Sequence, residues 1–333
     1  MAWYEGVAYY VLGLLLVGGP APVRAQDTNQ TRSSNNAIHV NVDRVNIGVT
    51  VTGLHGTFIR GLRREDFRVF DDGVEQPVTS FLSIEEPAQV VLLLECGPAA
   101  LFLKKNEFQA ADTLLASISP VDRVAIVSYS RSPDLVADFT SDKSEALAAL
   151  RGMNFMAGFG ELNLASSVAA TLDWLARLRG KKTIVLLSSG VDTSPAANWQ
   201  IIQQKIKSSD VRILAVSVAG DLRKPTKGRK LSPDEREDRK YVKEVFAEAD
   251  QSLRQLSEAT GGRVYFPKNS KELVRTYAEI TQLVRHQYSL EFTPPSLDGR
   301  VHSLRVEANH SWYHVDHRQN YLALPPAVRD STR

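Results

Sequence analysis

The sequence has 333 residues, 43% of them hydrophobic and 23% charged, which excludes wholesale disorder and fits one large domain or a large and a small one. Its 40 Lys and Arg against 38 Asp and Glu leave a net charge of +2, so no global field points to a nucleic-acid partner. The single cysteine, Cys96, forms no internal disulfide, and the core alone must hold the fold.

Residues 7–19 form an apolar run, followed by Pro20, Pro22 and then Val23-Arg24-Ala25, which suits a signal-peptidase cut after Ala25. The segment before the run holds Glu5 and no Lys or Arg, so an uncleaved anchor is the competing reading. The run is short for an anchor, since a spanning helix takes about 20 apolar residues. The expectation is a signal peptide over 1–25 and an exported chain in the periplasm, the envelope or outside the cell. A membrane is touched only through this signal peptide or anchor. Residues 26–37 are polar and read as a flexible leader.

Residues 38–84 read as a β segment. Ile38, Val40, Val42, Val45, Ile47, Val49 and Val51 alternate with polar residues, as in a half-buried strand. Asp72-Gly73 predicts a hairpin turn between strands at 67–70 and 76–81. Asp71-Asp72-Gly73 lacks the further acidic positions and closing Glu of a calcium loop, so it is read as the turn.

Residues 86–285 alternate strands and helices, which implies a mostly parallel sheet covered on both faces. Buried strands are predicted at 89–94, 123–129, 182–187 and 211–218, with a short edge strand at 134–139. Helices are predicted at 106–118, 143–150, 162–178 and 199–208. The charged stretch 220–239 reads as a solvated loop leading into a helix that Gly261-Gly262 stops. A short strand at 263–266 and a helix at 271–285 follow.

From residue 287 the two-residue alternation returns, in Tyr288, Leu290 and Phe292, then Val301, Leu304 and Val306, with Asp298-Gly299 read as a hairpin between them. His302, His310, His314 and His317 cluster here. His314 and His317 are three apart on a strand and face opposite sides, so one strand cannot offer both to one metal ion. All four are read as solvated. Segments 38–84 and 287–324 each leave open edges alone and are expected to pair into one small β domain. Residues 325–333 are expected to be a disordered tail.

The alternating core resembles a von Willebrand factor A-type domain. From Val40 to Leu324 the chain looks like the acidobacterial-type secreted proteins that carry this domain behind a signal peptide. The match rests on residues 62–81, 90–97, 185–193 and 263–305, with Asp66-Phe67, Asp71-Asp72-Gly73 and Asp298-Gly299-Arg300 among them. The resemblance implies an open, doubly wound α/β sheet with a divalent-cation site at the carboxyl ends of its strands. That site is built from D-x-S-x-S in the first loop, a Thr in the second and an Asp in the third. A hard cation such as Mg²⁺ takes these oxygens and leaves one position for a partner's carboxylate.

This sequence departs at each loop. Glu95 stands where the Asp is expected, and Gly97 and Ala99 replace the serines, with Cys96 and Pro98 between them. Glu161 stands near the usual Thr, and Ser189 where the third-loop Asp is usual. The set Glu95, Cys96, Gly97, Ala99, Glu161, Ser188, Ser189 and Asp192 forms the candidate ligand-binding crown, with no metal expected. Mg²⁺ or Ca²⁺ held by a repurposed crown is the alternative, Ca²⁺ being the more tolerant of irregular geometry. If Glu95, Glu161 and Asp192 converged without a cation, at least one would turn to solvent or have its pKa raised. The three crown loops contain no His, which argues against a hydrolase, and Ser188-Ser189-Gly190 lacks the frame of a nucleophile elbow. The expected function is non-enzymatic, adhesion-type binding of a protein or surface polymer. A structural envelope protein is the third reading.

Overall fold

The computed structural model describes residues 44–97, 112, 114–116, 118–153, 160–193, 196–219 and 232–325. The signal peptide and leader, Ala99, most of the helix at 106–118, much of the charged loop and the tail from 326 lie outside the described residues.

Four strands lead in: β1 (Val45–Thr52), β2 (Phe67–Asp71), β3 (Val74–Gln76) and β4 (Ser80–Leu82). The α/β unit follows, with β5 (Ala88–Glu95), β6 (Arg123–Tyr129), β7 (Pro133–Thr140), β8 (Lys181–Ser188), β9 (Arg212–Ser217) and β10 (Val264–Tyr265). Its helices are α1 (Lys143–Arg151), α2 (Leu164–Leu175), α3 (Ala196–Ser208), α4 (Pro233–Glu258) and α5 (Ser270–Arg285). Strands β11 (Gln287–Phe292), β12 (Val301–Ala308), β13 (His314–Asp316) and β14 (Asn320–Leu322) close the chain.

The central sheet runs β10-β9-β8-β5-β6-β7, parallel except for β7 at its edge. Period-two geometry sends alternate residues of β5 to opposite faces. Val90, Leu92 and Leu94 pack with Tyr277, Ile280 and Val284 of α5. Val91 and Leu93 pack with Val168 and Leu172 of α2 and Ile202 of α3. The unbroken apolar runs of the buried strands are thus accounted for by helices on both sides. The doubly wound α/β unit is as expected.

The two flanks pair with each other. Sheet β13-β1-β11-β4 stacks on sheet β14-β12-β2-β3, and Val45, Ile47, Val49, Phe67, Val69, Tyr288, Leu290, Phe292 and Tyr321 fill the space between them. Two turns differ from expectation. The Asp72-Gly73 turn joins β2 to β3, but residues 80–82 pair with β11 in the opposite sheet. Pro77 lacks the N–H that would continue the hairpin, and Thr79 N donates to Glu291 O at 2.7 Å instead. Strands β11 and β12 likewise form no hairpin; they lie in different sheets, and Pro294-Pro295 carries the chain across. Helix α4 starts inside the charged stretch, since Ser232-Pro233-Asp234-Glu235 is an N-terminal signal with Pro at the first helical position.

The β sandwich sits against the amino ends of the parallel strands. Lys181, opening β8, donates to Ser83 O and Ile84 O, both at 3.2 Å, and Arg212, opening β9, donates to Thr50 Oγ1 at 2.7 Å. Arg318 ties both units, donating to Ser209 O at 2.5 Å and Asn46 O at 2.8 Å. The carboxyl ends of β5 and β8 point the other way and carry the crown.

Candidate functional site at the sheet crown

Glu95 ends β5 and is 2% exposed. Its Oε2 accepts from Ser189 N at 2.7 Å and Ser189 Oγ at 2.8 Å, and from one at a time of Ser188 Oγ, 3.1 Å away, and Tyr129 Oη, 3.3 Å away. Tyr129 Oη and Ser188 Oγ share a further hydrogen bond at 2.7 Å. Burial raises the carboxyl pKa, and the donors from Ser189, Ser188 and Tyr129 only partly oppose it. Burial and the Glu95 charge also push the Tyr129 hydroxyl well above its ordinary range.

Gly190 holds the third loop with φ +82°, and a side chain there would meet Ala249 O of α4 at 2.5 Å. The turn is therefore reserved for glycine. Ser188 and Ser189 hydroxyls accept from Gly190 N and Val191 N, which fixes both side chains toward Glu95.

The remaining crown residues do not join Glu95. Glu161 pairs with Arg131 Nε at 3.0 Å on the surface. Asp192 Oδ2 accepts from Ala165 N at 2.8 Å in the first turn of α2, where a carboxylate meets the positive end of the helix. Gly97 lies under Leu162, and a Cβ there would stand 2.6 Å from Leu162 Cδ2. Cys96 is buried beside a cavity of about 180 Å³ lined by Ser128, Tyr129, Ser130, Asp134, Val136 and Met153. Burial, with the Glu95 charge next, pushes its thiol up to about 11, so the nucleophilic thiolate is scarce at neutral pH.

Among the described residues, the crown gathers one carboxylate with two serine hydroxyls and a phenol, a poor fit to a divalent ion. Glu95 Oε2 is taken up by Ser189 and by the Ser188–Tyr129 pair, Oε1 is buried without a partner, and at the first-serine position, Gly97, leucine methyl groups stand where a hydroxyl would. Tyr129, Leu162 and Arg131 were missing from the sequence-derived set. Tyr129 was within reach of it, because β5 and β6 run parallel and place Tyr129 beside Glu95. His302 and His317, expected to be solvated, are buried: His302 contacts Asp71, Asp72 and Asp298, and His317 Nε2 accepts from Val306 N at 3.2 Å.

The von Willebrand factor type A domain model matches residues 107–278, more than half of the chain. The match begins beyond the loop that carries Glu95, Cys96 and Gly97. Comparison with curated proteins finds no match. Among solved structures the chain is similar to conserved hypothetical protein BatB from Bacteroides thetaiotaomicron, at 11% identity, covering 60% of this chain and 99% of that one with a TM-score of 0.41. An aerotolerance-related membrane protein from Bacteroides fragilis aligns at 12% identity over 59% of this chain and 98% of its own, TM-score 0.40. A von Willebrand factor type A protein from Catenulispora acidiphila aligns at 11% identity over 84% of this chain and 71% of its own, TM-score 0.43. At these scores the structural likenesses add nothing to the family match. By that match, the chain belongs to the von Willebrand factor type A domain family.

Proposed function

We propose that this chain is an exported, non-enzymatic module that binds a protein or a surface polymer through its crown loops without a bridging cation. The observation that carries the reading is Glu95, whose Oε2 is folded back onto Ser188, Ser189 and Tyr129. Recognition then falls to the exposed polar groups of the rim, chief among them Arg131 and Glu161. Hydrolysis finds no support, because the loops carry no His and the Cys96 thiol is held protonated. Export is supported by the apolar run at 7–19 and Val23-Arg24-Ala25. Among the described residues no helix is long and apolar enough to cross a membrane.

The test is binding of the purified chain to isolated envelope proteins and envelope polymers, with the rim charges reversed in an Arg131→Glu, Glu161→Lys variant. An exposed ion pair contributes at most about 1 kcal/mol to stability, so the variant should melt with the native chain. Binding is expected to weaken about tenfold, the effect of losing roughly 1.4 kcal/mol of contact energy. Unchanged binding, or none by either protein, would remove the crown as the recognition surface. Recovery of the native chain from the cytoplasm with residues 1–25 intact would refute export.

A further inference from the structure

A second cluster lies in the β sandwich, apart from the crown loops. Asp71 ends β2, Asp72 begins the turn to β3, and His302 sits near the start of β12. His302 Nδ1 stands 3.2 Å from Asp71 Oδ1 and 3.0 Å from Asp72 Oδ2. Among the described residues this is the group whose ligand atoms converge, all three within 4.8 Å of one another.

Every other polar atom of the trio is already held. Asp71 Oδ2 accepts from Tyr321 Oη at 3.0 Å. Asp72 Oδ1 accepts from Ser303 N at 2.8 Å and Ser303 Oγ at 3.0 Å. His302 Nε2 meets Asp298 Oδ1 at 3.1 Å. Asp71 is 2% exposed and His302 6%, yet Asp71 Oδ1 and His302 Nδ1 make no hydrogen bond. With its Nε2–H donated to Asp298, a neutral imidazole aims the Nδ1 lone pair at two carboxylate oxygens. Burial opposes charge on the ring, but the Asp298 hydrogen bond and the charges of Asp71 and Asp72 raise the His302 pKa, so the corner is balanced either by a proton on Nδ1 or by a metal cation that takes the proton's place.

We infer that Asp71, Asp72 and His302 form a binding site for a divalent transition-metal ion of the Zn²⁺ class. Donors held about 2.1 Å from one ion at tetrahedral to octahedral angles stand roughly 3.0–3.4 Å apart, which the two nitrogen–oxygen separations match. One imidazole with two carboxylates favours a borderline ion over Mg²⁺ or Ca²⁺, which take oxygen alone. The Asp298 contact to Nε2 is the outer-shell carboxylate that orients a ligating histidine and strengthens it as a donor. Asp72 is half exposed at the turn, so the coordination position left open by three protein donors faces water. The ion would fasten the β2–β3 turn to β12, across 231 residues of chain between Asp72 and Ser303. The histidine and the Asp-Asp-Gly turn, each dismissed separately in the sequence, supply one donor set together.

The test is calorimetric titration of the full chain, freed of metal by chelation, with Zn²⁺ near neutral pH, followed by thermal denaturation with and without the ion. One equivalent of Zn²⁺ should bind and raise the melting temperature, while Mg²⁺ at the same concentration should not. Asp72→Asn keeps the turn and its exposed position, so it should fold and bind at least tenfold more weakly. Asp298→Asn should weaken binding by about 10–100-fold through His302 alone. Co²⁺ in place of Zn²⁺ should give visible absorption bands that Asp72→Asn abolishes. No saturable binding would mean that a proton on His302 fills the corner, and would overturn the assignment. Equal binding in the native chain and both variants would place the ion elsewhere, such as at exposed His314, and would overturn it equally.

Discussion

Arg318→Ala is expected to lower the unfolding free energy by about 3 kcal/mol, the range for leaving two buried carbonyls without donors. Arg318 is 5% exposed, and its guanidinium reaches Ser209 O in the α/β unit and Asn46 O in the sandwich. Burial pulls its pKa down to about 10, so it remains charged at neutral pH. Alanine removes both donors and leaves a hole at the seam between the two units. Gly261 allows the close fit there, since with φ +69° it accepts the Arg318 backbone where a side chain would collide. Urea unfolding of both proteins measures the effect. A loss below about 1 kcal/mol would mean that water reaches the seam and screens the contact.

Glu95→Ala should also cost about 3 kcal/mol, and its cost should depend on pH in a defined direction. The folded pKa of Glu95 is raised above the ordinary 4.5 by burial. A raised carboxyl contributes its full stability below the unfolded value and loses it as pH rises through the folded value, because the folded state then buries a charge. The gap between native and Glu95→Ala proteins is therefore widest in acid, below about 4.5, and narrows toward alkaline pH. Glu95→Gln, which keeps an acceptor and cannot ionise, should gain on the native protein as pH rises. Denaturant unfolding across this range checks both variants. A gap that widens with pH would show that the hydrogen-bond donors stabilise the ion more than burial opposes it.

The fold was legible where local chemistry decides structure. The apolar runs at 89–94, 123–129, 182–187 and 211–218 each became a buried strand within one residue at either end, because a strand covered on both faces needs no polar residue. The alternating flanks read correctly as half-buried sheets that require each other. Turns were less legible. Asp298-Gly299 has hairpin chemistry, and Gly299 does adopt φ +77°, but its N–H goes to Ala323 O rather than between β11 and β12. Which sheet a strand joins is decided by distant partners that a local pattern does not contain.

The crown candidates were chosen by position in the loops, and position does not say which of them meet. Loop position left open whether Glu95, Glu161 and Asp192 converge. In the structure Arg131 takes Glu161, the α2 amino end takes Asp192, and Ser188 and Ser189 at the end of β8 take Glu95. The Leu162 methyls over Gly97 have no trace in local sequence, being a contact between two loops. The Asp71, Asp72 and His302 cluster was invisible for the same reason, since its members come from opposite ends of the chain.

The most direct measurement of the crown is thermal denaturation of the native chain in Mg²⁺ and in Ca²⁺, with Glu95→Ala alongside. An ion bound at about 100 times its dissociation constant stabilises the folded state by about 2.7 kcal/mol, so occupancy could not escape detection. With Glu95 held by Ser188, Ser189 and Tyr129, neither ion should move the midpoint of either protein. A rise of several degrees in the native chain that disappears in Glu95→Ala would show that the crown coordinates a cation through that carboxylate, and would contradict the reading of a crown that binds without one.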